Sequence, residues 1–327
     1  MLLHTAKFYC TIEEDEVSAV SHKFNDDINS LSTKINFHFP GITTLLKEGS
    51  YDWTLFIYVD FIKLLGKTDI TGDDSEAATE KINNFIKFIF GNTPKEPVLT
   101  RLDYRFDTIV KDKSHRELLL KLYRKTYDTH GFKKKYDRYD SSLYFNSKSI
   151  NVIVYDKEEE RNAKLQEVED YERDVLRFEV RLLNPHINYM KRKNGLVKIL
   201  SNYMDEDFWK TYLKKNLSPF FFAGSFRKIN IAEKLIKSSE LKPIDQERLR
   251  QFLCDVSIYG FDNILKFKRT SNIGEEKSKY TKYLVKKYLK WLKELDINPL
   301  LIPKNIKIEL GPEKKIENPL ADVFLFS

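Results

Sequence analysis

Three short stretches hold the residues that can do chemistry. In the first, Arg101, Asp103, Arg105 and Asp107 alternate with Leu102, Tyr104 and Phe106. In the second, Tyr155 and Lys157 follow Val152 and Val154, and in the third, Arg177, Glu179 and Arg181 alternate with Leu176, Phe178, Val180 and Leu182. Residues i, i+2 and i+4 of a strand share a face, so each stretch reads as a β-strand with one apolar and one polar side. Carboxylates from separate strands can hold Mg²⁺ or Mn²⁺, which take oxygen ligands, and such an ion polarises a phosphate. Tyr155 can then attack phosphorus and keep the product covalently. A phenol with its ordinary pKa of ~10 is a weak nucleophile. A nearby cation, the metal or Lys157, favours the phenolate, and Lys157 can also stabilise the transition state. The plain alternative is a solvated face of ion pairs with little energetic weight, with Tyr155 merely one of 18 tyrosines.

For these residues to meet, the three strands must be neighbours in one sheet. Their apolar faces then pack on helices and their polar faces form one surface. The register is pinned, because a slip of one residue would exchange the two faces. The surrounding chain supplies suitable elements. Thr5 to Ile12 alternates, with Ala6, Phe8, Cys10 and Ile12 on one side, and Trp53 to Asp60 alternates again. Residues 75–90 carry Ala78, Ile82, Phe85, Ile86 and Ile89 on one helical stripe, closed by Gly91 and Pro94. Ser114 to Glu117 reads as a capping box opening a helix through Tyr123. Ser142 to Phe145 reads as a short strand joined to the second key strand by the turn at Asn146 to Lys148, a hairpin. Lys157 to Arg173 is highly charged and reads as a loop or an exposed helix.

After about Asn184 helix signals dominate: Leu249, Phe252, Leu253 and Val256, then Tyr280, Tyr283, Leu284, Tyr288, Trp291, Leu292 and Leu295. The expected class is α+β, an antiparallel sheet with helices on one face over residues 1–185, the catalytic part. A mainly helical region over 186–327 follows, suited to DNA binding or origin recognition.

The 327 residues are 41% hydrophobic and 13% aromatic, enough for a packed core. No apolar run approaches the ~20 residues of a membrane-spanning helix, and the N-terminus has no signal-peptide pattern. Two cysteines, Cys10 and Cys254, make neither a disulfide framework nor a zinc site; both read as small buried side chains in a cytoplasmic protein. The net charge of +7 leans toward a polyanionic partner.

Leu99-Thr-Arg-Leu-Asp-Tyr-Arg-Phe-Asp107 resembles the TRLD-x-x-FD strand of plasmid rolling-circle replication initiators, the Rep_trans (replication initiation factor) family. Leu143 to Ser149 followed by Val152 to Arg161 resembles that family's YFG…S…IRIYNKxxE segment, and Leu176 to Leu182 its WRVEIEL strand. Order and approximate spacing agree over residues 97–185. The tail, Lys279 to Tyr283 and Tyr288 to Pro299, is similar to the C-terminal end of filamentous-phage gene II/X-type replication proteins.

The resemblance implies site-specific nicking and joining of single-stranded or hairpin origin DNA through a covalent 5′-phosphotyrosine. It puts the nucleophile on Tyr155, with Tyr144 as runner-up, and the metal ligands on Asp103 and Glu179, with Asp107 a weaker third. Host helicase and polymerase are implied partners, and a homodimer is the implied assembly. A conjugative relaxase with the same chemistry and a non-catalytic DNA-binding regulator are the alternatives.

Many such nickases bind metal with a His-x-His pair. None of the six histidines here makes one, so carboxylates must dominate, with His186 the candidate for one extra ligand. Asn146 stands where the family often has Gly. For DNA, Arg101, Arg105, Arg177 and Arg181 share the polar faces. Lys133, Lys134 and Lys135 with Tyr136 mix charge and an aromatic ring, and the lysines of 276–295 flank an apolar stripe.

Overall fold

The structure is a computed structural model that describes residues 2–24, 39–49, 52–91, 93, 95–126, 133–134, 141–270 and 276–325. Its class is α+β, as expected. The sheet contains β1 (Leu2–Ile12), β2 (Ile42–Glu48), β3 (Trp53–Asp60), β4 (Val98–Ile109), β5 (Lys133–Lys134), β6 (Ser142–Asn146), β7 (Ile150–Asp156) and β8 (Val175–Leu183). Their order is β2-β3-β1-β4-β8-β7-β6-β5. The three chemistry-bearing strands β4, β8 and β7 are therefore consecutive, and β6 lies beside β7 as the hairpin reading requires.

The chain forms two compact units, each assembled from several segments. One comprises Met1–Asp107, Lys148–Val152 and Phe178–Tyr212; the other comprises Thr108–Ser147, Ile153–Arg177 and Leu213–Ser327.

In the first unit β1 is central, antiparallel to β3 on one side and to β4 on the other. Ala6, Phe8, Cys10 and Ile12 are buried, as are Leu55, Ile57 and Val59 opposite them. The helix Ser75–Phe90 buries Ala78, Ile82, Phe85, Ile86 and Ile89, the stripe read from the sequence, and Gly91 follows in a positive-φ conformation. Tyr104, on the apolar side of β4, donates its hydroxyl to the Tyr203 carbonyl at 2.7 Å. Burial pushes its phenol well above the ordinary range.

In the second unit the helix Lys113–Tyr123 is capped by Asp112, not by a box built on Ser114. Asp112 Oδ1 accepts from both the amide and the hydroxyl of Ser114 at 2.7 Å. The start moves two residues because Asp112 is itself a strong N-cap type and sits with extended backbone before the first turn. Lys157 opens a helix, Lys157–Ala163, capped by Asp156. It does not continue the strand.

Further on, Ile229–Lys237, Pro243–Tyr259 and Lys282–Glu294 are helices around a shared core that includes Leu249, Phe252, Leu253, Val256, Tyr288 and Leu292. Tyr283 is 74% exposed and does not belong to that stripe, a correction to its expected place. Asp255, buried on the helix Pro243–Tyr259, accepts from Gln251, Lys279 and Tyr280. Burial raises its pKa, but these three donors together hold the carboxyl below its ordinary value. Among the described residues no helix is long and apolar enough to cross a membrane.

Candidate active site

The polar sides of the key strands are not a solvated face. Asp103, Arg105 and Arg177 are fully buried, and Glu179 and Lys157 nearly so. Charges taken out of water are costly unless paired and hydrogen-bonded. The partners present account for their survival here.

In the first unit Asp103 is the hub. Its Oδ2 accepts the Thr5 hydroxyl at 2.8 Å and Arg181 Nε at 3.0 Å, and its Oδ1 accepts Arg101 Nε at 2.8 Å. A second Arg101 nitrogen also reaches Oδ2, completing a bidentate pair. Arg181 reaches on to Glu179 Oε2 at 3.2 Å, and Glu179 Oε1 pairs with His4 Nδ1 at 3.0 Å. Thr5 is directly opposite Asp103 in the β1–β4 register, which explains the first of these contacts.

His4 is a site residue that the sequence reading misses. The β1–β4 register shifts between Leu3 and Thr5. Leu3 is buried opposite Tyr104, on the apolar side, whereas Thr5 faces Asp103 on the polar side. A bulge of this kind re-aims a side chain, and His4, at the irregular position, reaches Glu179. His186, the histidine considered as an extra ligand, is instead engaged with the Tyr212 hydroxyl at 2.7 Å.

Asp107 stands four residues beyond Asp103, about 13 Å along the strand. It lies 3.6 Å from Arg105, too far along to share an ion with Asp103. Arg105 also donates to the Thr68 carbonyl at 2.6 Å. Of the arginines expected to touch DNA, Arg105 and Arg177 are wholly buried. Arg101 and Arg181 keep 31% and 24% of their side chains exposed.

The two carboxylates, from β4 and β8, are donor types that suit a hard divalent cation, whereas the His4 imidazole is a softer donor. In this arrangement a guanidinium, that of Arg181, joins the two carboxylates. Among the described residues no three His, Cys, Asp or Glu side chains converge closely enough to hold a metal.

In the second unit, Tyr155 is 7% exposed near the end of β7, and the Lys157 ammonium lies 6.0 Å from its ring centre. Lys157 Nζ pairs with Glu160 at 2.7 Å and lies 3.4 Å from Glu172. Glu172, itself buried, also takes both ends of the Arg161 guanidinium at 2.7 Å. Burial raises its pKa, but Arg161 and Lys157 outweigh that and leave the carboxyl below its usual value. Asp156 does structural work on the neighbouring position: it caps the following helix and pairs with buried Arg116 at 2.6 Å. Tyr144 is half-buried on β6. The backbone of Lys133 and Lys134 forms β5, paired with β6. Lys135, Tyr136 and the rest of the basic loop lie outside the described residues.

Residues 73–206 match the model of a phage family described as the N-terminal part of a replication-associated protein. That stretch is less than half of the chain, and it contains Asp103, Tyr155 and Glu179. It supports a phage-type replication initiator. The phage likeness thus falls on the strand region, whereas the motif resemblance places it on the tail at 279–299. The match does not by itself show the plasmid Rep_trans family. No curated protein matches the chain.

Proposed function

We propose that the protein initiates rolling-circle replication by nicking and rejoining one DNA strand at an origin. The observation that carries the proposal is the family match over 73–206, which spans all three chemistry-bearing strands. In this mechanism the Tyr155 oxygen attacks a backbone phosphorus, forms a 5′-phosphotyrosine and releases a 3′ hydroxyl. That hydroxyl primes synthesis by a host polymerase, with a host helicase opening the duplex. The return attack of a 3′ hydroxyl on the phosphotyrosine closes the circle and regenerates Tyr155.

The chain's own groups have separable tasks. Tyr155 must lose its proton, and the Lys157 cation beside its ring favours the phenolate. Arg101 and Arg181, the partly exposed arginines of the first unit, bind phosphate oxygens as planar forks. Asp103 orients both guanidinium groups, and Glu179 orients Arg181. Asp103 and Glu179 are the groups that would hold Mg²⁺ or Mn²⁺, which when bound would neutralise charge on the phosphate. To admit it, Arg181 must release the two carboxylates.

The test is to incubate the protein with Mn²⁺ and labelled single-stranded origin-like DNA and look for an adduct that survives denaturation. Tyr155→Phe should abolish the adduct and leave DNA binding intact. An adduct that persists in this variant moves the nucleophile to Tyr144. Cleavage without any adduct points to a nuclease that uses water.

A further inference from the structure

The side of β1 and β3 opposite the core carries a row of rings and cations of which the nicking proposal uses only Arg101. Tyr58 on β3 faces Lys7 on β1, and Lys7 faces Arg101 on β4. One step along, Phe56 faces Tyr9. All five side chains are half-buried, while their alternates Phe8, Ile57 and Leu102 fill the core. The Lys7 ammonium lies over both rings of β3, 4.4 Å from Phe56 and 4.7 Å from Tyr58. A cleft of about 320 Å³ opens there, lined by Thr5, Lys7, Tyr58, Lys63 and Arg101 among others.

We infer that this sheet face is a platform for single-stranded DNA leading to the Asp103 row. Three observations select that occupant. Phe56 and Tyr58 are two residues apart on one face, so their rings repeat at about 6.8 Å, a spacing that lets successive unstacked bases each find a ring. Cations stand between and beside the rings at Lys7, Lys63 and Arg101, where a phosphate backbone needs them. Aromatic rings interleaved with positive charge are the means by which sheets hold single strands without reading sequence. Third, the platform is continuous with the candidate site. Thr5, two residues before Lys7 on the same face, donates to Asp103, and Arg101 pairs with Asp103 while lining the cleft. Asp60, which also lines the cleft, is turned to the amides of Ile62 and Lys63, where it caps the helix Phe61–Leu65. A base stacking on Phe56 or Tyr58 displaces the Lys7 ammonium from the ring toward the adjoining phosphate.

The inference rests on the nicking proposal only for the direction of the strand, and it is tested without cleavage. Fluorescence anisotropy in EDTA, with the full chain and a labelled oligothymidylate, should show Phe56→Ala and Tyr58→Ala each weakening binding about tenfold, the scale of one lost base–ring stack. Against a strand of abasic nucleotides, which keeps the phosphates and lacks bases, both variants should bind as the unaltered protein does. Lys7→Ala should weaken both strands and reduce the salt dependence by about one ion. Phe56→Leu and Tyr58→Leu, which keep apolar volume and lose the flat ring, repeat the comparison if an alanine variant does not fold. Unchanged affinity for oligothymidylate overturns the platform, as does an equal loss on the abasic strand. The Tyr155 adduct is read separately on a denaturing gel, so failure of the nicking proposal is distinguishable from failure of the platform.

Discussion

Arg181 Nε donates to Asp103 Oδ2 at 3.0 Å, and the same guanidinium reaches Glu179 two residues away on its own strand. One side chain thus ties β8 to β4 and holds two buried carboxylates that would otherwise repel. Arg181→Ala should lower stability by about 2–4 kcal/mol, below the ~3–5 kcal/mol for removing one partner of a fully buried pair, because Arg181 keeps 24% of its side chain exposed. The lower half is favoured because Arg101 remains on Asp103. Arg181→Lys keeps the charge but not the fork, and should fall between. Urea unfolding midpoints of the three proteins decide it; coincident midpoints would remove the bridge from any account of stability.

Glu172 makes stability depend on pH in one direction. Its carboxyl has a folded pKa below the ordinary 4.5, because Arg161 and Lys157 outweigh the effect of burial. A group depressed on folding adds stability that is full above its unfolded pKa and is lost as pH falls through the folded value. The protein should therefore lose stability below pH 4.5 as this carboxyl takes up its proton. Glu172→Gln should be less stable than the unaltered protein near neutrality and should change less on acidification. Denaturant titrations at neutral and mildly acidic pH measure both; parallel pH profiles would exclude Glu172 as a contributor.

The helix Lys113–Tyr123 should depend on Asp112 rather than on Glu117. Asp112→Ala should cost about 1 kcal/mol, the usual worth of an N-cap, while Glu117→Ala should cost a few tenths at most. The reverse ranking in thermal unfolding would restore the capping box anchored on Ser114.

The two thiols should react at different rates. Burial pushes the Cys10 thiol up to about 11 and encloses it in the β1 core, whereas Cys254 is only partly buried. An alkylating reagent should modify Cys254 first in the native protein and Cys10 only on unfolding, with mass spectrometry reading the site. Rapid native labelling of Cys10 would contradict the packing of β1.

What is legible in the sequence is whatever a fixed period reports. The alternation of β1, β3, β4 and β8 sorts Phe8 from Lys7 and Leu102 from Asp103, and the stripe from Ala78 to Ile89 gives its helix to the residue. Period 2 says which side a residue takes but not what covers that side. Asp103 and Arg177 therefore read as candidates for a wet surface and are buried. His4 escapes because a bulge interrupts the alternation, and Asp112 because two nearby residue types, Asp and Ser, can each cap. Tyr283 reads with the stripe beside Leu284, but the packed face of this helix runs through Leu284, Val285, Tyr288 and Leu292, and Tyr283 falls outside it.

The contact between His4 and Glu179 joins residues 175 positions apart. At ~5–20 residues per second, roughly ten to thirty-five seconds of synthesis separate the two. Loop closure over such a separation is also slow in the free chain. A ribosome-bound fragment that already displays the aromatic face of β1 and β3 has no completed carboxylate–arginine network. The network therefore closes only once β8, the last strand to contribute to it, has been synthesised.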